Sequence, residues 1–539
     1  MKAELSRRDL LAAAGVGAGA LAVGACATDA RPIPGTLGGS DFRRGHRVRT
    51  GQLPEPQGKL EELPLLIAGG GVAGLAAAWR LVEAGFRQFR LIELEDETGG
   101  NARGGRNQVS AYPLGAHYLP VPNREAGALR HMLRQFGMIT GEQDGAPVYD
   151  PYQLCADLEE RLFWRGEWQE GLYPVAGLSA VDRADRDAFR RTMSDYSRAT
   201  GKDGRPAFAV PSAYSSRDPE FLALDRLSFS QWLEQRGWRS PPLRAYVRYC
   251  CRDDYGTEPE GVSAWAGIHY FAARRGWAAN GDGDRELTWP EGNQRLVRLM
   301  AQQVAGQVAT AKSLVRATAD NDGVIADVLD HRSETTHRVR TKAAILAMPR
   351  FVAARVAPAR VPADASGYAP WIVANVTVAR PPAGKGTPLA WDNVSTASNS
   401  LGYVVATHQS DSASGGPTVL TWYLPLSMET PAAARHLLLQ RPLESWQALV
   451  RDDLLQLHPE LAGAITRIDV WRWGHAMIRP APGLMAQAAD RLEDAVRPPL
   501  LLAHSDLSGL SLFEEAHYAG VAAAEAALRH LGHPVESLL

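Results

Sequence analysis

The apolar positions of this chain change period repeatedly, and each change marks an element. Leu65-Leu66-Ile67-Ala68 is a short continuous apolar run, the pattern of a strand covered on both faces. It ends in Gly69-Gly70-Gly71. From Val72 the period turns helical: Leu75, Ala78, Trp79 and Val82 share a face, and Gly85 stops the helix after Ala84. Phe89-Arg90-Leu91-Ile92-Glu93 is a second strand. Residues 313–317 and 323–329 alternate as half-buried strands, with Asn321-Asp322-Gly323 as the hairpin signal between them. Residues 121–284 are mostly helical in pattern, with helices expected over 227–237, 243–251 and 262–274. Residues 350–490 are mixed, with β-rich runs at 371–378, 402–407 and 419–424. A last helix is expected over 513–528. Strands alternating with helices around the first glycines predict an α/β dinucleotide-binding domain.

The first glycines carry the chemistry. Gly69, Gly71 and Gly74 stand at G-x-G-x-x-G spacing between a strand and a helix. That spacing lets the backbone turn tightly, approach a pyrophosphate and pack the helix on its strand. Val72 and Ala73 open the helix, whose N–H groups point at the phosphates. Glu93 ends the second strand about twenty residues on, where an acid accepts from the ribose hydroxyls of a dinucleotide.

A second glycine pair, Gly99-Gly100, follows six residues after Glu93, and then comes Asn101-Ala102-Arg103. This resembles the E-x5-GG-x-x-R element of the flavoprotein superfamily of amine oxidases, protoporphyrinogen oxidases and phytoene desaturases. Further landmarks keep that family's order: Gly115-Ala116-His117, Trp289–Leu296, Ala344–Pro349, Trp473-Gly474-His475, and Leu501–Asp506 with the helix after it. The resemblance spans residues 65–531. It implies a Rossmann-like, discontinuous FAD-binding domain (63–120, 285–350 and 495–535) interleaved with an α+β substrate domain (121–284 and 351–494). It implies FAD held by Gly69, Gly71, Val72, Ala73, Gly74, Glu93, Gly99, Gly100, Arg103, Gly115 and Ala116. A backbone contact to adenine falls at Val315, a ribityl or pyrophosphate contact at Asp506, and a helix N-terminus beneath the flavin at Phe513. Hydride transfer to flavin N5 from a small molecule, favoured as an amine or polyamine, with oxygen or quinone as acceptor, is the implied reaction. One departure stands out. The family lysine near flavin N5 has no counterpart in residues 371–378, where Asn375 is the nearest polar side chain; Lys385 lies beyond Pro381-Pro382. A desaturase or isomerase of a hydrophobic polyene or porphyrinogen-like substrate, or a non-catalytic FAD-binding lipoprotein, is therefore the alternative.

Composition changes this picture mainly at the N-terminus. The 539 residues, 45% hydrophobic and 22% charged, suffice for a large core, and a net charge of −2 gives no basic field for nucleic acid. Ser6-Arg7-Arg8-Asp9-Leu10-Leu11 and the small apolar run to Ala25 form a twin-arginine export signal (residues 1–26), implying export of a folded protein to the periplasm or cell-envelope surface by the twin-arginine machinery. Val23-Gly24-Ala25-Cys26 is a lipobox, with Cys26 as a lipid anchor; cleavage at Ala25-Cys26-Ala27 is the other reading. Residues 27–62, rich in Gly, Pro and Arg, are expected to be a flexible stalk. Cys155, Cys250 and Cys251 form no C-x-x-C, so no metal site is expected; pairing of Cys155 with one of the other two and buried free thiols both remain open.

His117, beside the implied flavin, and Trp473 and His475, before the last landmark, are the catalytic candidates. Trp391, Tyr403, Trp422, Tyr423 and Trp471 are candidate cavity walls. Arg252-Asp253-Asp254-Tyr255 is either a cation-binding pair of carboxylates or a helix-end ion-pair network.

Overall fold

The apolar run before the first glycines forms the middle of a parallel sheet. The computed structural model describes residues 32–51, 53–281, 283–363, 367–410 and 415–539. The export signal and Cys26 lie outside the described residues. Within the unit Pro34–Leu539, the strand Glu61–Ala68 lies between Phe89–Ile92 and Thr335–Leu346, all parallel. Val308–Ala309 extends the first edge, and Leu500–Leu502 pairs with Thr335–Leu346 on the other. Leu65, Ile67, Leu91, Ile345 and Leu501 are fully buried, which is why these strands are written as continuous apolar runs. The antiparallel strands Lys312–Asp320 and Gly323–Asp330 add to the early half of Thr335–Leu346 and turn at Asn321-Asp322.

The helix Val72–Glu83 leaves the glycines and packs on the last helix, Phe513–His530. Gly520 permits the close approach: a Cβ there would stand 2.2 Å from the Ala73 carbonyl oxygen. Trp79, on the same face, is buried and donates from Nε1 to Gln135 at 2.6 Å. Arg80 and Glu525 form a buried ion pair at 2.9 Å between the two helices. The early interior of the last helix thus anchors its first turn, which faces the site.

A second, eight-stranded sheet runs in the order Leu37–Gly39, Ile465–Ile478, Tyr368–Val378, Thr418–Pro425, Gly402–Val405, Asp392–Ser395, Glu160–Trp164, Glu167–Glu170. The helices Ala180–Arg198, Pro241–Tyr255 and Ala264–Ala272 share a core of Phe189, Trp232, Tyr255 and Trp265. Residues 121–284 are thus less helical than their pattern suggests. Two short hairpins, Ile139–Gln143 with Ala146–Tyr149 and Glu160–Trp164 with Glu167–Glu170, interrupt the helices; their strands of four or five residues are too short to set a clear period.

The expected flexible stalk needs correction. Leu37–Gly39 pairs in parallel with Val470–Arg472, at the edge of the second sheet. Phe42–Thr50 is a helix with no buried residue. Charge holds it in place. The Asp41 carboxylate caps it by accepting from Arg44 N at 3.0 Å, and Asp41 N donates to Glu95 Oε1 at 2.8 Å. Arg44 donates to the Leu94 carbonyl at 3.0 Å and pairs with Asp96 at 3.2 Å, while Arg47 pairs with Glu334. The segment is a strap joining the second sheet to the loop after the second parallel strand. The three cysteines Cys155, Cys250 and Cys251 are buried free thiols.

Candidate active site

A long cavity, open to solvent, runs along the glycine turns. Gly69, at φ 112°, has no room for a side chain, since a Cβ would lie 2.2 Å from the Ala347 carbonyl. A Cβ on Gly74 would lie 1.8 Å from the Gly69 carbonyl. Gly71 is different: a Cβ there would meet only Gly100 Cα, at 4.0 Å. Gly71 and Gly100 therefore form a floor of bare backbone open to the cavity. Gly71 also caps the helix Val72–Glu83 without any side-chain bond, so the first-turn N–H groups are offered to a ligand. Val72, Ala73 and Gly99 line the same stretch.

Glu93 is buried at the cavity wall. Its Oε2 accepts from Gly70 N at 2.6 Å and its Oε1 from Glu95 N at 2.9 Å. Burial pushes its carboxyl up, against the pull of these two N–H bonds. A carboxylate has about four acceptor sites, so two bonds leave capacity for the hydroxyls of a diol.

Three other cofactor residues of the sequence reading are placed elsewhere. Arg103 does not line the cavity. Its Nε donates to the Gly100 carbonyl at 3.2 Å, and its guanidinium lies over Trp471 and Trp473 with Glu95 at 3.6 Å, so it braces the second glycine loop from beneath. Val315 falls at a β-bulge between Leu314 and Arg316; the bulge turns it away, and Ser313 and Leu314 line the cavity instead. Asp506 is fully buried and points inward. It accepts from Arg350 N at 2.7 Å and the Tyr368 hydroxyl at 2.6 Å. Burial alone would raise its carboxyl, but His504, Tyr368 and the Arg350 N–H together hold it below the ordinary range. Its neighbours His504 and Ser505 are the residues on the cavity wall. Gly45 and Val48 of the strap close another side.

A second cavity meets the first. Asn101, Ala116, Ala476, Ser511, Leu512 and Phe513 line both. Gly115 lines the second only; a Cβ there would press 2.3 Å from the Asn101 carbonyl. The last helix begins at this junction, and its N-cap residue Leu512 gives no side-chain bond. An uncapped helix start at the junction favours negative charge there.

The second cavity has aromatic walls: Trp371, Tyr423 and Trp473 line it. Trp473 donates from Nε1 to the Leu114 carbonyl at 2.6 Å. His117 lines it too, stacked on Tyr423 at 4.6 Å, and burial drops its pKa to about 4. His475 lies on the first cavity instead, stacked on Phe351 at 4.6 Å; burial, then Arg435, lowers it to about 4. Both imidazoles are therefore neutral at ordinary pH, and only His117 and Trp473 of the three catalytic candidates share the second cavity. Of the other candidate walls, Trp391 packs behind His117 at 5.7 Å, while Tyr403 and Trp422 are buried in the sheet. Asn375 is also committed: it donates to the Pro113 carbonyl at 3.1 Å and accepts from Thr421 at 2.8 Å. Lys385 is exposed and pairs with Glu167.

The polar lining of the second cavity is acidic. Asp253, Asp254 and Glu514 face a single guanidinium, Arg274, among its described lining residues. Arg274 pairs with Asp254 at 2.8 Å and lies over Tyr270. Burial, then Asp254, pushes Asp253 up to about 7, and burial pushes Glu514 up to about 7. Behind Asp253 stand Glu160, raised by burial to about 7, and Asp392, also raised by burial, which accepts from the Tyr249 hydroxyl at 3.1 Å. The paired carboxylates of the sequence reading thus split: Asp254 belongs to an ion pair, and Asp253 opens on the cavity. Sequence reasoning missed Glu514, Arg274 and Trp371; the first was visible only as an acid in the first turn of the last helix.

A bare-glycine floor at one uncapped helix start, a buried acid beside it, and a second uncapped helix start at a cavity junction fit FAD. Glu93 would hold its ribose, the Gly71–Ala73 backbone its pyrophosphate, and the junction at Ala116 and Phe513 its ring. The fold and these cavities define a flavoprotein oxidoreductase that uses FAD. The flavin-containing amine oxidoreductase model matches residues 72–528, and the chain belongs to that family. It is similar over 123 residues, at 29% identity, to the L-amino acid oxidase Lm29 of Lachesis muta; the match covers 22% of each chain. Among solved structures it resembles putrescine oxidase bound to putrescine (TM-score 0.59, 17% identity, 86% of this chain and 98% of that one). It also resembles cyclohexylamine oxidase from Brevibacterium oxydans IH-35A (TM-score 0.61, 14% identity, 87% and 99%). At these identities the likeness is one of fold.

Proposed function

We propose that this enzyme oxidises an amine that reaches the site as a cation. The observation that carries the reading is the charge of the second cavity: three carboxyl side chains against one guanidinium, inside aromatic walls, next to the place for the flavin ring. An ammonium entering there meets carboxylates and π faces, both of which favour cations. A substrate carboxylate would meet mainly like charge, because Arg274 is already paired with Asp254. A polyene gains from the aromatic walls but leaves the buried acids without a counter-charge. Bound flavin supplies the two-electron acceptor for the hydride of the C–H beside nitrogen. The protein's own part is to hold that C–H at the junction, exclude water with Trp371, Tyr423 and Trp473, and take the ammonium's proton. Oxygen or a quinone is the proposed final acceptor.

The twin-arginine pattern at Arg7-Arg8 supports export of the folded, FAD-loaded protein, and the lipobox supports an anchor at Cys26. The deciding experiment is anaerobic mixing of the purified yellow protein with benzylamine, cyclohexylamine, putrescine, an L-amino acid and a polyene. Bleaching by amines supports the proposal; bleaching only by the amino acid or the polyene overturns it. Retention of an Arg7→Lys, Arg8→Lys double variant in the cytoplasm, with release of the wild type to the envelope, tests export.

A further inference from the structure

We propose that Glu514 is the group that takes the proton from the incoming ammonium. The inference rests on the amine reading above and assigns one residue of the same cavity. Four observations carry it. Glu514 follows Phe513, which lines both cavities, so it stands beside the junction where the substrate C–H must lie. It is 5% exposed and lines the substrate cavity. Among the described residues, no hydrogen bond or ion pair to another residue's side chain engages its carboxyl; its close donor is its own backbone N–H. The neighbouring Glu515, by contrast, is committed to Ser212, accepting from its N at 2.5 Å and its Oγ at 3.0 Å.

The other groups on the cavity are worse placed for the task. His117 is stacked on Tyr423 and held neutral by burial, so it is a weak proton acceptor. Asp254 is bound to Arg274. Asp253 takes a bond from the Tyr118 hydroxyl and is crowded by Glu160 and Asp392, so it is already engaged. Burial raises Glu514 to about 7, a value suited to receiving a proton at neutral pH. The charged and titratable groups around it are Arg274, Asp254 and Asp253 across the cavity, His117 and Tyr118 on its wall, and Glu515 on its own helix.

The step balances simply. One N–H bond of the ammonium breaks, an O–H bond forms on the Glu514 carboxylate, and the amine nitrogen gains its lone pair. No electrons leave either partner. The free amine is then ready for loss of hydride from the adjacent carbon.

The test uses the FAD-loaded full chain and its Glu514→Gln, Glu514→Asp and Asp253→Asn variants. Flavin reduction by cyclohexylamine is followed anaerobically from pH 6 to 10. Binding of tert-butylamine, which has no hydrogen on the carbon beside nitrogen, is followed by the flavin spectrum over the same range. In the wild type, affinity for tert-butylamine should strengthen as pH rises through about 7. The Glu514→Gln variant should lose that dependence. Its reduction rate at pH 7.5 should fall roughly 10²–10³-fold and recover about tenfold per pH unit, because the neutral amine must then come from solution. Glu514→Asp should restore part of both. Loss of the pH dependence in Asp253→Asn, with retention in Glu514→Gln, overturns the assignment and moves it to Asp253. Retention in both, with amines still bleaching the flavin, overturns it while leaving the amine reading intact. Failure of the wild type to bind tert-butylamine or react with any amine overturns both.

Discussion

Deleting residues 34–50 probes the strap, and its effect can be worked out from the contacts. The helix Phe42–Thr50 fully buries no side chain, and Val48 packs half-buried against the core of the first sheet. A nine-residue helix is marginal alone in water, so it depends on what docks it. Its Asp41 cap is worth about 1 kcal/mol. The Arg44–Asp96 and Arg47–Glu334 pairs are partly exposed and worth at most about 1 kcal/mol each. The bonds of Leu37–Gly39 to its neighbour add about 1 kcal/mol apiece. These contacts are few and lie mostly at the surface, so the strap opens locally far more easily than the core unfolds, and a ligand that touches it can bias docked against open.

FAD should shift that balance. Gly45 and Val48 line the cofactor cavity, and the strap spans its wall between the two sheets. If the open form binds FAD about tenfold more weakly than the docked form, saturating cofactor stabilises docking by about 1.4 kcal/mol. Trypsin should therefore cut after Arg43, Arg44, Arg47 or Arg49 about tenfold more slowly in the FAD-loaded protein than in the stripped protein. The truncated protein should keep its fold, since no core residue is removed. Its FAD Kd should rise about tenfold, the loss of roughly 1.4 kcal/mol from one half-buried aliphatic wall. Equal cleavage rates with and without FAD, together with an unchanged FAD Kd after truncation, would refute the reasoning.

Four further outcomes are expected. Glu93→Gln puts an amide N–H₂ against the Gly70 or Glu95 N–H and removes a charged acceptor for the ribose, so FAD Kd measured by fluorescence should rise roughly 10²–10³-fold. Trp79→Ala opens a cavity between the first and last helices and leaves Gln135 without its donor; chemical denaturation should show a loss of about 3–5 kcal/mol. His117→Gln should lower affinity for amines through the lost stack on Tyr423, by about 0.5–1.5 kcal/mol, yet leave the pH profile above pH 6 unmoved because the imidazole is already neutral there. Glu160, Asp253, Glu514 and Glu515 are each raised by burial to about 7, so between about pH 4.5 and 7 the native state holds more protons than the unfolded one; stability is fullest below that window and falls as pH rises through it. Ligand-free protein should melt higher at pH 5.5 than at pH 8, and a flat or reversed trend in a thermal scan would count against the buried acid cluster.

How far the sequence could be read depended on what held each part in place. The parallel strands and the first helix were legible because burial on both faces writes itself as an apolar run and close backbone approach as glycine. Gly69 and Gly74 have no alternative, with carbonyl oxygens where a Cβ would be. The strap was not legible for the opposite reason. Its helix fully buries no side chain and sets only Val48 half-buried against the core, so it carries no apolar period, and arginine pairs to distant acids leave no local signature. Asp41 before Phe42 was the one available sign, a capping residue without an apolar face behind it. At Val315 and Asp506 a bulge and an inward-turned loop exchange which neighbour's side chain meets the cavity, a shift of one or two residues that the local pattern does not encode. Glu514 shows a different limit. By position it is an acid in a helix's first turn, a placement that the helix dipole explains without any further role. What makes it chemically distinct is the company of Asp254 and Arg274, from segments more than two hundred residues earlier, and a cavity that none of these stretches forms alone. A proton acceptor of this kind is a property of the closed fold, and only substitution at that position separates the ordinary helix-end acid from the working one.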